Sequence, residues 1–157
     1  MNRKRKHKPY KQGLYTPINK SKYIGKGIPR YLSSWELRFF RWCDTNTNII
    51  EWGSENIIIP YLSPIDKKIH RYMVDNYVMI KEGNKISKYL IEIKPKKQTV
   101  APTKHGNKKK STILYEHMTW AVNQAKWDAA SQWCNKNNIK FQIITEDHLF
   151  FTKNKQY

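Results

Sequence analysis

Between Leu114 and Trp133 apolar residues return every three or four positions: Leu114, Met118, Val122, Ala125, Ala129 and Trp133. This spacing predicts a helix over residues 113–135 with one apolar stripe. A stripe of that length needs a flat apolar surface to cover, and the residues before it supply one. From Ile49 the period changes to that of strands, with extended segments at 56–62, 69–81 and 86–94. Ser63-Pro64 with Asp66 makes one turn, and Glu82-Gly83-Asn84 closes a hairpin onto the third segment. Asn137-Asn138 ends the long helix, and residues 139–145 alternate as a last strand. Upstream, Gly25, Gly27 and Pro29 break the chain before Ser33-Ser34, where a serine caps a helix running to about Asp44. Trp35, Phe39, Trp42 and Cys43 have helical spacing and bury one side of it. The order α-β-β-β-α-β reads as an α/β fold, a mixed sheet with flanking helices.

A chain of 157 residues suffices for one domain with a real core, taken here as residues 21–157. Six Trp, ten Tyr and five Phe supply apolar area despite 27% charged residues. No run reaches the length of a membrane span, and no charged region followed by an apolar one opens the chain, which predicts a soluble, unexported protein. Cys43 and Cys134 lie far apart without C-x-x-C spacing, so they read as buried free thiols of a reducing compartment and exclude a zinc site.

The net charge of +18 demands a polyanionic partner, because neutralising phosphates and releasing counterions drives nucleic-acid binding. An anionic membrane is the competing partner, but no basic amphipathic helix supports it. Residues 1–30 hold ten Lys or Arg and no acid. Residues 1–20, with Arg3, Lys4, Arg5 and Lys6, lack periodicity and read as a flexible basic arm for DNA, a solubility tail or a nuclear-localisation signal. Tyr10 and Tyr15 within it suit stacking on bases or packing on the body, and nothing in the sequence chooses. Residues 94–110 hold seven lysines and no acid. This loop, with Lys96, Lys97, Lys104, Lys108, Lys109 and Lys110, reads as a solvated segment, as a DNA grip, or as both.

Inside this cationic chain, Ile91-Glu92-Ile93-Lys94-Pro95 stands out. In a strand Glu92 and Lys94 share one face while Ile91 and Ile93 share the other. Phosphodiester hydrolysis has a use for that pair: a carboxylate holds Mg²⁺, and a lysine orients water or neutralises developing charge. Asp75 lies within the 69–81 segment, and the hairpin brings it beside Glu92. Glu36 falls three residues after Ser33, so it serves either as the third residue of a capping box or as a site carboxylate.

The run of motifs resembles the PD-(D/E)xK nuclease superfamily. It is similar to the group formed by head-completion nucleases of T4-like phages and the N-terminal domain of TnsA-type endonucleases. The carrying segments are Tyr31 to Glu36, Trp52 to Glu55 with Ile59 to Tyr61, His70 to Asp75, Leu90 to Pro95 and Phe141 to Glu146. Together they span roughly residues 22–148. The resemblance implies a restriction-endonuclease-like core in which Asp75, Glu92 and the Ile93 carbonyl ligate Mg²⁺, with Mn²⁺ as substitute. Glu36 would complete a second metal position or orient a metal-bound water, and Lys94 would position the nucleophile and stabilise transition-state charge. The family's Pro-Asp-Phe is here Val74-Asp75-Asn76, which removes the proline that distorts the strand. Glu55 is a spare carboxylate, read as an outward strand residue.

The resemblance further implies processing of DNA ends during phage head completion, in the host cytoplasm, with head, portal or neck proteins as partners. Virion association and oligomeric state are left open. Three other functions compete: a structural head or neck protein that binds DNA without cutting it, an RNA binder, and a transposase-like partner subunit. Intact carboxylates beside Lys94 oppose the first. No exposed aromatic sheet face supports the second, and the third normally carries a further domain.

Overall fold

The computed structural model describes residues 11–103 and 106–149. In chain order its elements are β1 (Gly13–Leu14), β2 (Arg30–Tyr31), α1 (Ser34–Thr45), β3 (Ile49–Ser54), β4 (Ile58–Leu62) and β5 (Ile69–Met73). There follow β6 (Asn76–Glu82), β7 (Lys85–Ile93), α2 (Lys110–Lys136), β8 (Lys140–Ile144) and α3 (Glu146–Leu149). The central sheet has the order β3-β6-β7-β8. Its first three strands are antiparallel, and β8 joins β7 in parallel after the crossover helix α2. Gly83, at φ +62°, and Asn84 form the two-residue turn of the β6–β7 hairpin, where Glu82 pairs with Lys85. This is the expected α/β mixed sheet.

Two expectations about the strands need correcting. The segment around 56–62 does not enter the central sheet; β4 pairs with β5 as a separate hairpin, and β3 takes its place. The segment 69–81 is not one strand but two, interrupted at Val74-Asp75. The Val74 N–H donates to the Ile57 carbonyl (3.1 Å), and the Asp75 carbonyl accepts from the Glu55 N–H (3.0 Å). These bonds carry the chain out of one ladder and into another, so the distortion occurs without a proline. Glu55 is itself a turn residue at φ +49° rather than a strand residue.

Each sheet face has its own core. On one, α2 and the β4–β5 hairpin pack Ile59, Tyr61, Tyr72, Val74, Trp127, Ala130 and Cys134 against Tyr77 and Leu90. On the other, Phe39, Phe40 and Cys43 of α1 pack against Ile49, Trp52, Val78, Ile91 and Ile93. The two free, buried cysteines therefore belong to different cores. Helix α2 begins earlier than expected, and its buried stripe is rotated. Asn123, Trp127, Ala130 and Cys134 are buried, whereas Leu114 is 61% exposed and Met118 also lies outside. The helix carries apolar residues on several faces, so spacing alone could not select the one that meets the sheet. On α1, Leu37 and Phe40 are buried in place of Trp42, which is 44% exposed.

Within the expected arm of residues 1–20, only residues 11–20 are described. Residues 1–10, which include Arg3, Lys4, Arg5 and Lys6, lie outside the described residues. Residues 11–20 are held to the body. Asp44, fully buried at the end of α1, accepts from the Tyr15 hydroxyl (2.6 Å), the Ile18 N–H (2.7 Å) and the Asn19 N–H (2.9 Å). The Asn19 amide donates to the Asp44 carbonyl at 2.7 Å. Burial pushes the Asp44 carboxyl up, but these donors outweigh it and hold the pKa below the ordinary value. Tyr15 thus packs on the body, its hydroxyl pKa raised to about 12 by burial and by Asp44.

Candidate active site

Strand β7 lies inside the sheet, and its last four residues, Leu90 to Ile93, are buried from both faces. A carboxylate in such a run is costly unless paired. Glu92 is 3% exposed and has two partners: Tyr72 donates its hydroxyl to Oε2 at 2.6 Å, and Lys94 Nζ sits 2.8 Å from Oε1. Tyr72 was not legible as a site residue. It is the one buried residue of β5, which alternation suggests, but its partner lies twenty positions away in another sheet. Lys126 of α2 stands over the Tyr72 ring at 5.5 Å.

Asp75 occupies the joint between β5 and β6, adjacent to the Asn76–Ile91 pair, and so comes alongside the end of β7. Its Oδ2 accepts from the Ile93 N–H at 2.7 Å. In an extended residue the N–H and C=O project to the same edge, so the Ile93 carbonyl faces the Asp75 side. Burial first, then the Glu92 charge, pushes the Asp75 carboxyl well above the usual range, against the pull of Lys94 and the Ile93 N–H. Burial alone would lower Lys94, but Glu92, Asp75 and Glu36 outweigh it and hold the ammonium above its ordinary pKa. The protonated form of Lys94 is therefore favoured.

Glu36 is placed differently. Ser33 caps α1, its Oγ accepting from the Glu36 N–H at 3.2 Å. The Glu36 carboxylate turns back to accept from the Leu32 N–H (2.8 Å) and the Ser33 hydroxyl (3.2 Å). This is the capping arrangement, shifted by one residue. Burial raises its pKa, and its charge is felt by both Asp75 and Lys94. The structure thus brings together Asp75, Glu92 and Lys94, with Glu36 bordering them as a cap. Among the described residues no three His, Cys, Asp or Glu side chains gather around a common metal position.

Those residues nonetheless suit a hard cation. Two carboxylates share a single ammonium, and burial with the Glu92 charge favours the neutral form of Asp75, a balance that a bound cation would reverse. The donors are all oxygens, and Mg²⁺ typically takes one or two carboxylates and keeps several of its own waters.

The expected DNA-contacting lysines diverge. Lys96 is tied to Asp147 at 2.7 Å, and its N–H to Glu146. Lys108 is tied to Glu116 at 2.8 Å. Lys97, Lys109 and Lys110 are exposed, and Lys104 lies outside the described residues. No helix of the described residues is long and apolar enough to cross a membrane.

A mixed sheet that brings Asp75 to the end of a Glu-x-Lys strand is the core of restriction-like nucleases. The family model of the TnsA-like endonuclease N-terminal domain matches residues 46–146, and the chain belongs to that nuclease family. The match contains Asp75, Glu92 and Lys94 and begins after Glu36. The chain is also similar to the head completion nuclease of Enterobacteria phage T4, at 42% identity over 143 residues, covering 87% of this chain and 92% of that protein.

Proposed function

We propose that this nuclease is a Mg²⁺-dependent deoxyribonuclease that processes DNA ends during phage head completion, with Mn²⁺ able to substitute. The observation that carries the chemistry is the convergence of Asp75, Glu92 and Lys94 at the end of β7. Asp75, Glu92 and the Ile93 carbonyl would hold the ion. When bound, it supplies a water acidified near neutral pH and a Lewis acid for the phosphoryl oxygen. Glu92 is kept in place by Tyr72, and Asp75 by the Ile93 N–H. Lys94 is protonated and directly follows the buried end of β7. It orients the attacking oxygen and offsets charge that builds on the phosphate. Glu36 holds the start of α1 beside the site and biases Asp75 and Lys94 through its charge. The excess of lysine and arginine gathers the DNA.

The biological setting rests on the similarity to the T4 protein. On this reading the chain acts in the host cytoplasm during assembly, with head, portal or neck proteins as partners. The chemical test is plasmid nicking by the purified protein. Mg²⁺ should support cleavage, EDTA should stop it, and the Asp75→Ala, Glu92→Ala double variant should be inert while still binding DNA. Cleavage that persists in EDTA or in that variant removes the proposed site.

A further inference from the structure

Residues 97–103 after β7, Lys108 and the first half of α2 line a half-open cavity of about 470 Å³. Lys97, Tyr115, Trp120 and Asn123 border it, together with the Lys108–Glu116 ion pair. The cavity lies on the catalytic face of the sheet: Glu92 and Lys94 share a strand face with Leu90, which packs in the core formed with α2. Lys97 is three positions after Lys94, so their Cα atoms are no more than about 11 Å apart.

Packing does not account for Asn123. It occupies the middle of the buried stripe of α2, one turn before Trp127, and is 8% exposed. Its amide makes no hydrogen bond among the described residues, although it borders the cavity. The amide is not sealed in the core but opens onto the cavity, where it is free to pair with a ligand. Its carbonyl and NH₂ match the paired acceptor and donor on the edge of a nucleobase. Tyr115, about two helical turns before it on the cavity lining, is 71% exposed, and Trp120 adds a second aromatic wall. Base stacking on such rings tolerates any sequence. Lys108 is already neutralised by Glu116, which leaves Lys97 as the cavity's cation for a flanking phosphate.

We propose that this cavity receives one unpaired nucleobase from a single-stranded extension at a DNA end, so that cleavage falls on a phosphodiester close to that base. Bases inside a duplex cannot enter, because their edges are paired and their faces stacked. The inference deepens the nuclease reading by naming the form of DNA the site prefers, and it rests on that reading for the placement of DNA.

Binding of fluorescent duplexes to the full chain, measured in EDTA so that nothing is cut, provides the test. Three duplexes are compared: blunt, with a short single-stranded extension, and with the same extension made abasic. The base-bearing extension should bind about tenfold tighter than either of the others, the size of one base–aromatic stack. Tyr115→Ala and Asn123→Ala should each abolish most of that preference while leaving blunt-duplex affinity unchanged. Tyr115 is too exposed for its loss to unfold the chain, and Asn123→Ala should melt no lower than the parent. Equal binding of the abasic and base-bearing extensions, or a preference that survives both substitutions, overturns the proposal. Adding Mg²⁺ separates the two readings. Cleavage without base preference sinks the cavity alone; base preference without cleavage sinks the nuclease reading alone.

Discussion

Asp75→Asn should make the metal-free protein more stable while abolishing its response to Mg²⁺. Asparagine keeps the shape and can still accept the Ile93 N–H with its carbonyl oxygen, but it removes one of two carboxylates that share a single ammonium. The Asp75 carboxyl is pushed up to about 8 from an ordinary value of 3.8, by burial and by Glu92. Because the folded-state pKa is raised, the unfolded chain ionises first. The parent therefore loses stability as pH climbs from 3.8 towards about 8, and no further above it. At about pH 7 the full cost would be roughly 4 kcal/mol, at about 1.4 kcal/mol for each pH unit. Asp75 is only half-buried, and water screening reduces this to about 2 kcal/mol. For a chain of this size that is roughly 4–8 °C in melting temperature. Thermal melts in EDTA at several pH values measure it directly. The variant should lie above the parent by a margin that widens from acid to pH 8. Saturating Mg²⁺ should then raise the parent and leave the variant where it was. A variant less stable than the parent in EDTA at pH 8, or a margin that widens towards acid, refutes the argument.

Asp44→Ala should cost about 2–4 kcal/mol, because it strands three donors around a buried position, and trypsin should then cut at Lys20 and Lys22. Its pKa is lowered, so the parent's advantage is present above the ordinary carboxyl pKa and fades as pH falls through the folded-state value. Lys94→Met should retain the fold and the Mg²⁺-induced rise in melting temperature but cleave about a hundredfold more slowly. Lys97→Met, the loop control, should lose activity only in step with DNA affinity. Deleting residues 1–10 removes five Lys or Arg and should flatten the salt dependence of DNA binding without lowering the melting temperature. Extending the deletion to Lys20 should lower it, since the partners of Asp44 go too.

The sequence carried the proximity of Asp75, Glu92 and Lys94 better than it carried the packing. Asp75, Glu92 and Lys94 could be found because a strand's two-residue period and a two-residue turn fix which residues share a face and stand opposite each other. Helix α2 lacked such a constraint. With Trp120, Val122, Ala125, Trp127 and Trp133 around its circumference, several stripes fit the spacing, and only contact with Leu90 and Tyr77 selects one. Asn123 was overlooked for the same reason, since an apolar tally passes over an amide. Tyr72 escaped because its bond to Glu92 joins separate sheets. Glu36 was open between a cap and a site carboxylate, and its bonds to Leu32 and Ser33 place it in the cap. The docking of residues 11–20 was not legible because a run of cations without periodicity gives no sign that a buried Asp44 is waiting for its backbone.

The docking of residues 15–22 also fixes an order of events during synthesis. Tyr15 finds its acceptor 29 residues later, at Asp44, and Tyr23 stacks at 4.7 Å on Trp52. A nascent chain that has not yet reached Trp52 therefore holds a basic segment with nowhere to go. Its attachment must wait for α1 and β3, so residues that leave the ribosome among the first settle only after others have folded. Closing those loops slows assembly without adding local contacts. Until then, Lys20 and Lys22 are open to proteases and to any polyanion nearby, the ribosome's own RNA included.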